Sequence, residues 1–457
     1  MTTEKHIDAR ALTAARRLSH TMQDRIIRSG DERYEAARTV WNGAVDHRPA
    51  LIVCCETAAD IQAAVRVARA NGLALSVRGG GHDWAGRSVR QDALVVDLSR
   101  MRGVEIDLPT QTAFVQGGAR VADVAAAAMP YGLTVAGGNS GSVGMAGFTL
   151  GGGYGPLMPR FGLGLDNLLG AEIVLADGRT IWADATEHPE LFWALRGGGG
   201  NFGVTARMRV RLHPVREFLS GVMLFPIAQA ATVLCGYAEF AKTAPDEMAV
   251  MTGLMCDPAG NPAVFFLPAW SGAPVPGAAA IAGLRALGTP LHEQIGPTPY
   301  GEMLAANDAL AIGGRRYAIQ SRSLAALSPQ AAAAILDAYA MRTSPHAILA
   351  IHHFRGAPTR IPLQSTAFGL RREHFMVEII AAWEANATAQ DATHRRWARE
   401  TSRMLAPHAL AGGYPNLLGP EEVEQTRDAF GANHPRLCAA KRLFDPDGVF
   451  SAVGLPA

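Results

Sequence analysis

Apolar positions recur at helical spacing through 59–71, where Ile61, Val65 and Ala68 share one stripe. Asp60 stands near the start of that helix as a cap candidate, and Gly72 follows its end. Short apolar runs at 73–77, 93–98 and 112–116 predict strands, and the alanine-rich 121–129 predicts a helix. Two runs, 171–176 and 179–183, flank Asp177-Gly178, a strong tight-turn pair, and predict a hairpin. The alternation in 204–212 (VTARMRVRL) is that of a half-buried strand. After His213-Pro214 the texture changes. Helical patterns at 226–243 and 388–405 alternate with strand patterns at 263–270, 347–353 and 375–382, as expected for a sheet with helices on one face. The stretch 272–277, with Pro274 and Pro276, reads as a surface loop. A turn at 412–416 and two short helices close the chain.

The 457 residues exceed the roughly 250–300 at which one core stops growing, so two domains are expected. Hydrophobic residues at 48% exclude a disordered chain. A net charge of +1 gives no electrostatic reason to bind nucleic acid, and no apolar run is long enough to span a membrane. The first residues lack an apolar signal core, which points to the cytoplasm. Cys54, Cys55, Cys235, Cys256 and Cys438 have no metal or redox spacing, and packing as small hydrophobes is the simpler reading. No metal site is expected; His352 and His353 on one strand point to opposite faces and cannot chelate together.

Glycine is over-represented, 49 of 457, and it clusters. The clusters are Arg78-Gly79-Gly80-Gly81-His82-Asp83, then 137–147 (GGNSGSVGMAG), 151–155 (GGGYG) and 196–203 (RGGGGNFG). Such loops bring backbone N–H groups against a ligand and form anion-binding nests suited to a pyrophosphate. Gly198, Gly200 and Gly203 match GxGxxG, but the order is helix before and strand after, the reverse of a dinucleotide-binding turn. No nucleotide-hydrolysing P-loop motif occurs. His82 projects from a loop where backbone meets ligand, which singles it out.

The ordered series 78–82 (RGGGH), 143–155 (VGMAGFTLGGGYG), 162–167 (GLGLDN), 191–204 (LFWALRGGGGNFGV) and 441–450 (KRLFDPDGVF) resembles the berberine bridge enzyme-like FAD-linked oxidases of the PCMH-type (vanillyl-alcohol-oxidase) flavoprotein fold. The resemblance is dense over about 45–213 and 410–450 and loose between. It implies an α+β, two-lobe fold: an FAD-binding domain at 1–213, an antiparallel-sheet substrate domain at 214–410, and a segment 411–457 returning to the first. It also implies FAD held by Arg78, Gly79, Gly80, Gly81, His82, Asp83, Ser140, Ser142, Val143, Gly144, Gly147, Gly152, Gly153, Tyr154, Val204, Tyr414 and Asn416. By resemblance His82 carries the covalent flavin. The second tether of many relatives, a cysteine, is Ser140 here, so one link is expected, and the loss counts against an oligosaccharide-sized substrate. Val143 occupies the family's oxygen-gate position and favours dioxygen as acceptor.

The family's two usual base positions are Leu417 and Met376 here. Glu378, two residues along the strand from Met376 and on the same face, and Tyr414 are the substitutes. The resemblance therefore implies an FAD oxidase that takes hydride from a small substrate carrying CH–OH or CH–NH and passes electrons to dioxygen, acting as a monomer or homodimer. Oxidative cyclisation in natural-product biosynthesis, or a dehydrogenase with another acceptor, is the alternative.

Overall fold

The computed structural model describes residues 2–452, 454 and 455. Two sheets form before residue 214. The first pairs β2 (Leu51–Cys54), β4 (Leu94–Asp97) and β3 (Leu75–Arg78) in parallel, with β1 (Ile26–Ile27) antiparallel at the edge. The crossover helix Ala58–Ala70 explains the parallel pairing. Its N-cap is Thr57, not Asp60; Asp60 is the third residue, whose carboxylate takes the Thr57 N–H in a capping box. Gly72 leaves the helix at φ +63°.

The second sheet is ordered β5 (Val104–Asp107), β6 (Thr112–Gln116), β10 (Val204–His213), β8 (Leu168–Val174), β9 (Thr180–Asp184), and β7 (Thr134–Val135) pairs with the end of β10. The Asp177-Gly178 hairpin forms as expected, between β8 and β9, with Gly178 at φ +79°. Pro189–Gly198 is a helix and β10 follows it, so the GxGxxG glycines lie between helix and strand.

All seven strands of the third sheet are antiparallel. They run β14 (His292–Thr298), β11 (Phe218–Pro226), β13 (Pro262–Trp270), β12 (Met248–Cys256), β16 (Ile348–Phe354), β17 (His374–Trp383), β15 (Arg316–Leu324). Helices Ala230–Ala241, Pro274–Arg285, Pro329–Ala340 and Asp391–Leu405 cover one face, burying Phe266, Leu349, Val377 and Trp383. The 272–277 stretch is not a loop throughout. A helix starts at Pro274, because proline is tolerated in a first turn, where its missing N–H has no intrahelical partner anyway. The pattern at 226–243 contracts to Ala230–Ala241 behind a 3-10 turn. Thr2–Met22, for which the sequence reading made no assignment, is also helical. Among the described residues no helix is long and apolar enough to cross a membrane.

The C-terminal helix His434–Phe444 packs back on Pro189–Gly198. Between the first two sheets and the third, Arg371 holds Asp166 with two hydrogen bonds of 2.9 and 2.8 Å, both side chains only 5% exposed. Asp166 also accepts the Leu163 N–H at 2.9 Å. Removing one partner of such a pair strands a buried charge. Asp166→Ala should therefore cost about 3–5 kcal/mol, read as a fall in the denaturant midpoint. A change below about 1 kcal/mol would place the inter-lobe anchor elsewhere.

Candidate active site

The glycine clusters meet because two of them cross in backbone contact. A Cβ on Gly80 would lie 2.3 Å from the Gly144 nitrogen, and one on Gly144 would lie 2.4 Å from the Gly80 nitrogen. No side chain fits, so both positions require glycine. Val121 and Met145 N–H groups, bonded to Val143 and Ala119 carbonyls at 2.9 and 2.8 Å, fix the second loop. The crossing sets His82 Nε2 2.9 Å from Ser142 Oγ. Trp41 stacks on the imidazole at 4.6 Å and on Tyr317 at 3.9 Å, sandwiched between first-lobe loop and third sheet. Burial pushes the His82 ring down to about 4, against the opposing charge of Asp308. The imidazole is therefore neutral near neutral pH.

The C-terminal turn closes the far side. Gly153 N–H donates to Tyr414 Oη at 2.5 Å, and Asn416 Nδ2 donates to the Gly147 and Phe148 carbonyls at 3.2 Å. A Cβ on Gly151 would fall 2.0 Å from Asn416 Oδ1.

These loops and the uncovered face of the third sheet enclose a cavity of about 460 Å³. Gly79, Gly80, Gly81, His82, Asp83, Ser140, Val143, Gly144, Gly147, Tyr154, Tyr414, Asn416 and Glu378 all line it. Five of the expected cofactor residues do not. Arg78 turns away and clamps buried Asp97, with Nε 3.1 Å from Oδ1. Ser142 backs His82, Gly152 and Gly153 support Tyr414, and Val204 is fully buried in the core under the first sheet. Sequence reading missed Trp41, Asn139 and His352 as lining residues. His352 had a signal in the strand alternation, but it was weighed only as a metal ligand.

Glu378 is the cavity's catalytic candidate. Its neighbours across the sheet, Ala350 and Ser321, are small. Met376, two residues back, is fully buried beside Tyr414 and Phe354. Tyr154 donates to Glu378 Oε2 at 3.1 Å, and His352 Nε2 lies 3.4 Å from the same oxygen without hydrogen-bond alignment. The other lining carboxylate, Asp83, is engaged by Arg87. Burial drives both Tyr154 and Tyr414 hydroxyls upward, with the Glu378 charge adding to each. A phenol raised this way is a poor base near neutral pH. That counts against Tyr414 as the base and leaves Glu378 the stronger of the two candidates.

The residues present suit an FAD. Crossed glycine loops suit a pyrophosphate. The buried hydroxyls of Ser88 and Thr205, both lining the cavity, have no partner among the described residues. A long cleft of this kind, glycine-walled at one end and roofed by a sheet at the other, defines a flavin-dependent oxidoreductase. Residues 49–184 match an FAD binding domain. (R)-6-hydroxynicotine oxidase of Paenarthrobacter nicotinovorans is 31% identical over 446 residues, covering 94% of this chain and 96% of the relative. An FAD-linked oxidoreductase of Gibberella zeae is 28% identical over 436 residues, covering 92% and 83%. The crystal structure of 6-hydroxy-D-nicotine oxidase from Arthrobacter nicotinovorans superposes with TM-score 0.87 at 28% identity, over 95% of this chain and 98% of that one. The chain belongs to the berberine bridge enzyme-like, PCMH-type family of FAD-linked oxidoreductases.

Gly80→Ala should lower stability by about 1–3 kcal/mol, as overpacking does, and reduce the FAD recovered with the protein. Gly301→Ala, where an added Cβ meets nothing within 4 Å, is the control. Equal FAD content and melting temperature in both variants would show that the loop crossing is dispensable.

Proposed function

We propose that this chain is an FAD oxidase acting on a small, largely apolar substrate with an oxidisable C–H beside N–H or O–H, its flavin held by one covalent bond through His82 and reoxidised by dioxygen to give hydrogen peroxide. The lobes are 1–213 with 411–457 for FAD and 214–410 for substrate. The observation that carries the reading is Glu378, a carboxylate beside His352 on a sheet face that is largely apolar and includes Met251, Leu267, Ile319, Ile348 and Ile380. A sugar, with hydroxyls on every side, would leave most of them unpaired against that wall. An amine or alcohol with an aromatic or aliphatic body would present one polar group to Glu378, and the 31%-identical relative, a 6-hydroxynicotine oxidase, is in keeping with an amine. Glu378 takes the heteroatom proton, Tyr154 holds the carboxylate in place, and the sheet face orients the donor carbon. When bound, the flavin accepts the hydride. Half-buried Val143 is small enough to leave dioxygen a path.

Three measurements test this. The flavin should stay with the protein through acid precipitation, and His82→Ala should release it while still folding; full release from the unsubstituted chain would remove the covalent bond from the reading. Anaerobic mixing with a panel of amines, alcohols, phenols and sugars should bleach the flavin with apolar amines or alcohols, and air should then return hydrogen peroxide. Bleaching by sugars alone would overturn the substrate class. Glu378→Gln should slow bleaching by roughly 10²–10⁴, as expected for a lost general base, whereas Tyr414→Phe should slow it far less. The reverse order would move the base to the tyrosine.

A further inference from the structure

Asp308 is the last residue of helix Tyr300–Asp308 in the substrate lobe, yet its carboxylate reaches the 137–147 glycine loop of the other lobe, which backs His82. Ser142 donates to Asp308 Oδ1 at 3.1 Å, and Ser140 donates to the same oxygen. The helix is bolted to this loop twice more. Tyr300 Oη donates to the Gly138 carbonyl at 2.6 Å, and Asn307 Nδ2 to the Asn139 carbonyl at 3.0 Å. Among the described ion pairs Asp308 has no cationic partner. A carboxylate in a last helical turn also opposes the helix dipole, at about 0.3–1 kcal/mol. Helix stability therefore gives no reason for an acid here.

Ser140 and Ser142 both reach Asp308 Oδ1 and lie 3.0 Å from each other, and His82 Nε2 lies 2.9 Å from Ser142 Oγ. With Ser142 donating to Asp308, its oxygen accepts from His82 Nε2–H, and that tautomer offers the Nδ1 lone pair for bond formation. Asp308–Ser142–His82 is thus an orienting relay of the Asp–His kind with a serine interposed.

We propose that Asp308, through Ser142, is the positioning residue and proton acceptor for attachment of the flavin to His82, so that the substrate lobe completes the machinery that loads the cofactor of the other lobe. This rests on the covalent reading above. Nδ1 of His82 forms the bond to the 8α carbon, and the Nε2 proton leaves through Ser142 to Asp308. One C–N bond forms; one methyl C–H and one imidazole N–H bond break. The two electrons and two protons released go to dioxygen, giving hydrogen peroxide. The neutral ring described above suits a nucleophile. Ser140, standing where many relatives carry a second tethering cysteine, here shares the carboxylate instead.

The test uses the full-length chain produced in flavin-limited cells, mixed aerobically with FAD and followed by the fraction of flavin that resists acid precipitation. Asp308→Asn keeps the size and hydrogen-bonding capacity but removes the proton acceptor. It should slow attachment by roughly 10²-fold, the low end for a lost general base, while total bound FAD and melting temperature stay at their unsubstituted values. Asp308→Glu should recover most of the rate, and Ser142→Ala should match Asp308→Asn. Attachment at the unsubstituted rate in Asp308→Asn overturns the proposal. So does a parallel fall in bound FAD and melting temperature, which would make Asp308 a latch between lobes. No covalent flavin in the unsubstituted chain overturns this proposal and the His82 reading together; covalent flavin with unchanged Asp308→Asn kinetics overturns this one alone.

Discussion

Everything in the site depends on two polypeptide loops touching backbone to backbone at Gly80 and Gly144. With less than 2.5 Å between either added Cβ and the opposite nitrogen, the contact admits no other residue. That contact sets the depth at which His82 emerges, brings Ser142 under its imidazole, and turns Val143 into the cleft. The second loop cannot retreat, because residues 119–122 hold it by main-chain hydrogen bonds and helix Tyr300–Asp308 holds it from the other lobe.

Charge is managed by separating anchors from chemistry. Two deeply buried ion pairs, Arg78–Asp97 and Arg371–Asp166, lie outside the cleft and brace what surrounds it. Burial keeps the Tyr154 and Tyr414 hydroxyls uncharged beside Glu378. A low-dielectric wall makes its single interaction with a substrate proton count for more than it would in water.

Much of this was legible along the chain because the glycine-rich segments are contiguous runs. Glycine clusters, the Asp177-Gly178 hairpin and the helix-then-strand order around 198–203 are local facts, and the structure reproduces each. The strand carrying Glu378 was visible as an apolar run, and its face followed from alternation. What stayed hidden is set by distance in sequence. Asp308 meets Ser142 across 166 residues and Trp41 meets Tyr317 from the opposite lobe, with no motif to announce either. Arg78 adjoins the glycines, but as the last residue of a strand its side chain pairs with its neighbour Asp97, a contact that the glycine motif does not announce. Pro274 and Pro276 looked like a loop because first-turn prolines and loop prolines look alike in sequence.

The closing turn at Tyr414 and Asn416 carries a consequence for how the molecule is made. Its bonds to Gly153, Gly147 and Phe148 link positions more than 250 residues apart. A ribosome adding roughly 5–20 residues per second finishes the glycine loops well before it reaches residue 414. For that interval the nascent chain holds the cofactor's floor without its final wall. The cleft is therefore complete only after residues 414–416 have emerged from the ribosome, and the protein can tighten on its flavin only from that point.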